Sequence, residues 1–136
     1  IQLTISCLYI FNLRETIFNC CQHIKHNFCI QIYSLKEYET VTDLGYTNIM
    51  LSIYQMSWEE KKDPKIILEF LETHSLTAVT FPYEILEYIP NYLDILSQGS
   101  TPVYLHTIND REVLNDLILA GASGVCTDNA LVLGLI

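Results

Sequence analysis

The sequence lacks the cysteine spacing that a disulfide framework or a zinc site requires. Its five cysteines are odd in number and include no Cys-x-x-Cys pair. They are Cys7, Cys20, Cys21, Cys29 and Cys126. Because disulfides persist mainly in oxidising compartments, this usage favours a reducing compartment, and we expect a cytoplasmic protein.

Positive charge is also scarce. The chain carries 7 Lys and Arg against 16 Asp and Glu, a formal net charge of −9. Nucleic acids and anionic membrane surfaces are polyanions, so a protein that binds them needs a basic surface. The composition therefore predicts that neither is a partner.

Long apolar runs are missing as well. No run reaches the roughly 18 apolar residues that cross a bilayer. A secretory signal has a basic segment before its apolar segment, and the apolar residues 1–11 have none. We expect no transmembrane segment and no signal of this kind.

The sequence is rich in apolar residues, which make up 50% of its 136 residues. This is enough for a hydrophobic core, so we expect residues 1–136 to form a single domain. Short β-rich runs alternate with helical patterns at intervals of about 25 residues. Strands joined by single helices run parallel, so the pattern predicts an α/β barrel or a doubly wound sheet. The five predicted strands lie near 29–33, 48–54, 77–81, 103–108 and 124–127. Residues 1–27 give only an uncertain strand followed by a helix.

Helix boundaries are marked by capping residues, proline and glycine. Ser34 and Glu37 have the spacing of a capping box, and Asp63-Pro64 predicts a helix start. Pro90 predicts a kink or break in a helix over 83–96. Either Asn109 or Asp110 is expected to cap the last helix, and Gly121 to end it.

Polar side chains lie at the predicted carboxyl ends of the strands. Ligands of parallel α/β proteins bind at that edge, because loops and helix N-termini face it. Amide, hydroxyl and imidazole groups there suit a bound phosphate. The residues predicted to bind substrate are Gln31, Tyr54, His106, Asn109 and Asp128. Tyr33, Ser52, Thr80, Thr107 and Thr127 lie at the same ends.

Each of these residues also has a purely structural interpretation. His106 is either a pocket donor or a hydrogen-bonded core histidine. Asn109 is either a ligand contact or, more readily, a helix cap, and Asp128 either a ligand contact or a capping or turn residue. Tyr54 fills the interior equally well. Cys126 lies in an apolar run, which predicts an inert core thiol.

Metal ligands are not indicated by the residue pattern. His23 and His26 are three apart on a predicted helix, but no third ligand accompanies them. We therefore assign no metal ligands and no catalytic residues within this chain.

The C-terminal third carries a family resemblance. Tyr104-Leu-His-Thr-Ile-Asn109, then a helix, then Gly121-Ala-Ser-Gly-Val-Cys-Thr-Asp128 resembles the last two strands of the glycerophosphodiester phosphodiesterase family. His106 stands where the family usually has Trp, and Ser123 where it has Asp. The positions that match are Thr107, Asn109, Gly121, Gly124, Thr127 and Asp128. The resemblance covers roughly residues 28–130 and implies a partial (βα) TIM-type barrel over 28–136.

The resemblance also implies a function. The complete family hydrolyses glycerophosphodiesters in glycerophospholipid metabolism, with a histidine pair for acid–base work and carboxylates on Ca²⁺ or Mg²⁺. Its catalytic sequences are His-Arg-Gly and Glu-x-Asp, and neither occurs in this chain.

We therefore expect this chain to be a fragment that binds a phosphodiester or glycerol phosphate. On its own, it is expected to bind no cofactor and to be inactive. Open barrel edges would favour self-association. The alternatives are a non-catalytic partial barrel that binds a phosphorylated ligand or a partner chain, and another phosphate-binding barrel enzyme.

Overall fold

The computed structural model describes residues 29–129, which form one sheet of five strands with helices between them. All four strand pairs are parallel. The strands are β1 (Ile30–Ile32), β2 (Ile49–Ser52), β3 (Ala78–Pro82), β4 (Val103–His106) and β5 (Gly124–Val125). The α/β prediction is confirmed, and all five strands lie near their predicted positions. The strand and helix predicted before residue 28 lie outside the described residues.

The order of the strands identifies the type of α/β fold. The sheet runs β1-β2-β3-β4-β5, so each strand lies beside the one before it in the chain. A doubly wound sheet reverses its strand order at a switch point, whereas a (βα) barrel adds strands in sequence. The sheet is open, and it is consistent with part of a TIM-type barrel.

Six α-helices and one 3₁₀ turn connect the strands. The helices are α1 (Glu37–Asp43), α2 (Trp58–Lys61), α3 (Pro64–Thr73), α4 (Ile85–Tyr88), α5 (Tyr92–Leu96) and α6 (Arg111–Leu119). The 3₁₀ turn, Ile53–Gln55, follows β2 directly, so β2 is shorter than the predicted run 48–54. No helix within residues 29–129 has the length and apolar character needed to cross a membrane.

Local sequence explains most helix boundaries. Asp63 caps α3 by accepting a hydrogen bond from the Lys65 N–H at 3.0 Å, with Pro64 at the first position. The predicted break at Pro90 is confirmed, because α4 ends before it and α5 begins after it. Gly45 and Gly121 follow α1 and α6 with φ of 82° and 107°, the left-handed conformation that favours glycine.

The predicted capping box at the start of α1 is only half formed. Glu37 accepts hydrogen bonds from the N–H groups of Tyr33 and Ser34, at 2.7 and 3.1 Å. The N-cap is Lys36, which makes no capping hydrogen bond with its side chain. Ser34 therefore lies two residues before the N-cap position, and Glu37 alone supplies the side-chain hydrogen bonds at the helix start.

One face of the sheet forms the apolar core. Residues in register across parallel strands share a face, and Ile32, Leu51, Val79 and Val103 form one such row. All four are at most 1% exposed. Buried residues from α1, α3, α5 and α6 belong to the same cluster, so the helices cover this face.

The opposite face of the sheet is more polar. Ser52, Thr80, Tyr104 and Gly124 lie in one row across it. A Cβ atom added to Gly124 would lie 2.8 Å from a ring carbon of Tyr104, so glycine makes room for that ring. In a complete barrel this face lines the interior, which explains why it mixes hydroxyl groups with an aromatic ring.

Tyr92, on α5, is a buried core residue whose contribution to stability can be measured. Its side chain is 0% exposed and its ring lies 5.0 Å from that of Phe81. Its hydroxyl has no hydrogen-bond partner among the described residues, and burial, with a smaller contribution from the Asp63 charge, raises its pKa.

We predict that Tyr92→Phe raises the free energy of unfolding by about 1 kcal/mol, because it removes a buried polar group that lacks a partner. Urea denaturation measures this change. Tyr88→Phe is the matched control: Tyr88 is 72% exposed and its hydroxyl carries no such penalty. A loss of stability in Tyr92→Phe would contradict the prediction and would mean that the hydroxyl is hydrogen-bonded in solution.

Candidate functional site

The carboxyl ends of β3, β4 and β5 are joined by backbone hydrogen bonds beyond the strands themselves. The Tyr83 N–H donates to the His106 carbonyl oxygen at 2.9 Å, and the Ile108 N–H donates to the Cys126 carbonyl oxygen at 3.0 Å. The loops that follow these strands are thus held side by side. Three of the five predicted substrate-binding residues lie on these loops or at the strand ends: His106, Asn109 and Asp128.

His106, the last residue of β4, lies next to Tyr54. The two ring centroids are 5.9 Å apart and the rings are inclined at 72°. His106 is half-buried, whereas Tyr54, in the 3₁₀ turn after β2, is 60% exposed. The structure therefore brings together two of the residues singled out from the sequence. The peptide bond between His106 and Thr107 is cis.

The charge state of His106 follows from its burial. Loss of solvation lowers the pKa of the imidazole below its ordinary value, and the nearby Glu84 carboxylate opposes that shift to a smaller extent. At neutral pH the ring is therefore uncharged. A neutral imidazole offers one N–H donor and one acceptor to a ligand.

Asn109 links the last two strand ends. Its side-chain oxygen accepts hydrogen bonds from the Thr127 hydroxyl at 2.9 Å and from the Asp128 N–H at 3.1 Å. The amide N–H of Asp128 can only donate, so the oxygen of the Asn109 amide must face it. The NH₂ group of Asn109 consequently points to the other side, where it can donate to a ligand.

Asn109 does not cap α6, contrary to the preferred structural interpretation from the sequence. Asp110 is the cap, and its carboxylate accepts from the Glu112 and Val113 N–H groups at 2.8 and 3.1 Å. Both residues could cap by type, but the Thr127–Asp128 turn lies beside Asn109 and supplies donors that occupy its oxygen. Asp128 enters this network through its backbone N–H, and its side chain is exposed.

Gln31 lies apart from this group. It is half-buried within β1 and in register with Met50 on the polar face, one residue before the strand ends. Three strand spacings of about 4.8 Å separate β1 from β4, so Gln31 is roughly 14 Å from the His106 strand. The structure brings His106 and Tyr54 together, and Asn109 and Asp128 together, but not Gln31 with either pair.

Thr80 is a further polar residue on the polar face of the sheet, in the row with Ser52 and Tyr104. It is 3% exposed, and its hydroxyl oxygen has no hydrogen-bond partner within the described part of the chain. Its row neighbour Ser52 is 1% exposed. The sequence places both at strand ends, but only the structure shows that they are buried.

A cleft beside His106 was missed by the sequence interpretation. It has a volume of about 350 Å³ and lies between the 3₁₀ turn, α2 and α4. We call it the aromatic cleft. Its lining residues are Tyr54, Trp58, Lys61, Pro82, Glu84, Ile85 and Tyr88.

Residues 58–61 form α2, which begins with a capping box. The Ser57 side chain accepts from the Glu60 N–H, and the Glu60 carboxylate accepts from the Ser57 N–H. The spacing Ser57-x-x-Glu60 is the signal that predicts this helix. That helix places Trp58 and Lys61, three residues apart, on the same side of the cleft.

The described residues do not suit a Ca²⁺ or Mg²⁺ ion. These ions take several oxygen ligands, commonly carboxylates. Within residues 29–129, no three His, Cys, Asp or Glu side chains come together in a way that could hold a metal. His23 and His26 lie outside the described residues. The prediction that Cys126 is a core residue is wrong: it directly follows β5 and is exposed.

Comparisons with known proteins show a likeness at the level of the fold. No family model matches the sequence. One solved structure that is similar is a glycerophosphodiester phosphodiesterase from Parabacteroides distasonis, with a TM-score of 0.52 and 13% sequence identity. The match covers 76% of this chain and 40% of that enzyme. At this identity the likeness shows a shared α/β fold, with this chain spanning less than half of the enzyme's length.

Proposed function

We propose that this chain is the substrate-binding side of a glycerophosphodiester phosphodiesterase-like barrel, and that it binds glycerol phosphate or a glycerophosphodiester at the carboxyl edge of its sheet. The observation that carries the proposal is the Asn109–Thr127–Asp128 network beside His106. It fixes an amide donor on the loop that follows His106, at the edge where parallel α/β proteins bind ligands. The fold likeness to a phosphodiesterase supports the same assignment.

The site suits a singly charged phosphodiester. An uncharged His106 and the Asn109 NH₂ group both donate hydrogen bonds without adding positive charge. Hydrogen bonds to a charged acceptor are stronger than those between neutral groups, so two such donors hold a phosphate despite the acidic chain. Asp128 contributes its backbone N–H to the network, while its carboxylate is exposed to solvent.

We propose that the chain hydrolyses a glycerophosphodiester only when it is combined with a further segment that carries the catalytic residues. The described residues do not provide the carboxylate cluster that Ca²⁺ or Mg²⁺ needs. We propose that this chain needs a segment that carries the family's His-Arg-Gly and Glu-x-Asp sequences. The proposed setting is glycerophospholipid metabolism in the cytoplasm, with no nucleic-acid partner and with self-association through the open sheet edges.

A second candidate is a partial barrel that binds a phosphorylated ligand without catalysis. It is favoured by the same lack of a metal-binding cluster within the described residues. Both candidates require phosphate binding at the sheet edge, so binding is tested first.

We predict that calorimetric titration with glycerol phosphate shows saturable binding that Asn109→Asp weakens about tenfold. The substitution keeps the oxygen that Thr127 and Asp128 use, but it replaces the NH₂ donor with a negative charge. Asn115→Asp is the matched control, because it adds the same charge at an exposed position on α6, away from this network. Absence of binding by the natural sequence, or equal losses in both variants, would contradict the proposal.

The pH dependence of binding follows from His106. Burial lowers the pKa of the imidazole below its ordinary value, so the ring is neutral at neutral pH and gains charge only as the pH falls through the lowered pKa. A glycerophosphodiester keeps one negative charge over this range. Its affinity should therefore rise as the pH falls through the lowered pKa, and it should stay constant in His106→Gln. A natural chain whose affinity is independent of pH would place His106 outside the binding site.

A further inference from the structure

A carboxylate lies near His106 at the carboxyl edge. The Tyr83 N–H donates to the His106 carbonyl oxygen at 2.9 Å, so the residues that follow β3 are held against the end of β4. Glu84 is the next residue, and it is exposed and lines the aromatic cleft. Tyr54, the titratable residue of the 3₁₀ turn, lines the same cleft, and its ring lies 5.9 Å from the His106 ring, centroid to centroid. Glu84 thus lies on the side of the site that holds His106 and Tyr54.

The side chain of Glu84 does not serve its own helix. Glu84 occupies the N-cap position of α4, but its side chain makes no capping hydrogen bond. Glutamate is also not among the residues preferred at that position, which are Asn, Asp, Ser, Thr and Gly. The start of α4 therefore explains the backbone of Glu84 but not its carboxylate, which is available to a neighbouring group.

The other charged or titratable groups at this edge come from α2 and from the loop after β5. Lys61, on α2, lines the cleft, and its Nζ donates to a backbone carbonyl oxygen of the 3₁₀ turn at 3.2 Å. Loss of solvation raises the pKa of the Cys126 thiol, and the Asp128 carboxylate is exposed. The charge that acts on His106 is that of Glu84, which opposes the effect of burial on the pKa of the ring.

We propose that Glu84 is a positioning residue for His106. Its carboxylate stabilises the protonated imidazole, and it thereby helps the carboxyl edge to hold a proton. The physical basis is that a nearby negative charge favours the charged form of an imidazole. Glu84 acts on a ligand through His106, so its effect on binding depends on whether that ring carries its proton.

The pair changes the charge that a phosphodiester meets. With His106 neutral, Glu84 leaves one negative charge near the ring, and this charge repels an anionic ligand. With His106 protonated, the two charges cancel and the imidazolium offers two N–H donors. Uptake of one proton thus removes a repulsion and adds a donor. This step rests on the proposed function, whereas the effect of Glu84 on His106 does not.

Nuclear magnetic resonance of ¹³C-labelled histidine rings measures the titration of His106 without any ligand. The chain has four histidines, and His106→Gln identifies the His106 signal by its loss. Glu84→Gln should make His106 bind its proton about threefold more weakly. A salt concentration of about 1 M should remove most of that difference, because the Debye length then falls to about 3 Å.

Two further variants separate the charge of Glu84 from a structural role. Glu87→Gln is the matched control, since Glu87 is exposed on the same helix but does not line the cleft, and it should leave the titration of His106 unchanged. Glu84→Asp keeps the charge, so its His106 should titrate more like that of the natural chain than like that of Glu84→Gln. Equal effects of the two glutamine variants would overturn the proposal, because the acidic surface as a whole would then act on His106. An unchanged titration in Glu84→Gln, or a loss of fold in that variant, would overturn it as well.

Ligand binding distinguishes this proposal from the previous one. Calorimetric titration with diglycerol phosphate, a diester with one negative charge, should show about twofold tighter binding to Glu84→Gln at neutral pH. The affinity gained on acidification should appear at lower pH in that variant. Absence of diester binding at any pH overturns the proposed function, and the titration of His106 still decides the role of Glu84. Diester binding whose pH dependence is the same in the natural chain and in Glu84→Gln overturns the role of Glu84 alone.

Discussion

The isolated chain is expected to leave glycerophosphodiesters unhydrolysed in the presence of Ca²⁺ or Mg²⁺. Hydrolysis by this route requires ligands for the ion and an acid for the leaving alkoxide. The described carboxyl edge offers His106, Glu84 and the exposed Asp128, and no three such side chains within residues 29–129 come together to hold an ion. Release of glycerol phosphate from a glycerophosphodiester, followed in a coupled assay, measures the activity.

Joining the chain to the catalytic sequences of the phosphodiesterase family should give activity if the proposed function is right. We predict that fusion to the N-terminal part of a family member, with its His-Arg-Gly and Glu-x-Asp sequences, raises hydrolysis on the order of a thousandfold. In that fusion, His106→Ala or Asn109→Ala should raise KM more than it lowers kcat, since both residues are proposed to bind substrate. Asn115→Asp serves again as the control that should change neither constant.

Turnover by the isolated chain would contradict this prediction if a chelator abolished it. Such a result would require metal ligands outside residues 29–129, and His23 and His26 would be the first candidates for substitution. A fusion that folds and binds glycerol phosphate but does not hydrolyse a diester would instead favour the non-catalytic candidate function. Circular dichroism of the fusion separates that case from misfolding.

The strand positions were predictable because the residue types within each strand indicate a strand without reference to the rest of the chain. A strand buried on the sheet needs a run of β-branched or apolar residues, and 48–54 and 77–81 supply one. Strand ends were less predictable. Ile53 and Tyr54 continue the apolar run of β2, but residues 53–55 form a 3₁₀ turn in which Ile53 is buried in the core.

The site was partly predictable for a different reason. Parallel strands put their carboxyl ends at one edge, so listing polar residues at those ends found His106, Asn109 and Asp128. The partner of Asn109 was not predictable from its neighbours in sequence, since Thr127 lies 18 residues away. Local preference favours a helix cap at Asn109, and the tertiary contact overrides it.

The aromatic cleft shows the limit of residue patterns most clearly. Tyr54, Trp58 and Tyr88 occur in three segments, and their spacing follows no single helical or strand period. Their convergence depends on how α2 and α4 are placed after β2 and β3. That placement is set by packing between elements, which local sequence does not encode.

The open edge of the sheet carries the last prediction. Within the described sheet, β5 pairs only with β4. A groove of about 580 Å³ runs along this edge between β5 and α6, lined mainly by apolar residues. Two of them, Ile118 and Leu119, are 45% and 87% exposed. A strand with one unpaired edge next to an apolar groove can pair with a strand of another chain.

We predict that the chain self-associates at micromolar concentration through this edge, with a second copy covering the groove. Burying a leucine side chain contributes about 1.5–3 kcal/mol. Leu119→Lys should therefore weaken association at least about tenfold, because a factor of ten corresponds to about 1.4 kcal/mol. Sedimentation velocity over a series of concentrations measures the effect.

Ile66→Lys is the control, because Ile66 is also an exposed apolar residue, at 50%, but it lies on α3, away from the β5 edge. Equal weakening by both substitutions would show that added charge, rather than loss of the groove contact, keeps the copies apart. A natural chain that sediments as a monomer and binds no hydrophobic dye would contradict the prediction outright. Dye binding by a monomer would show the groove exposed but too weakly apolar to hold a second copy, because association must offset the lost rotational and translational freedom of two chains.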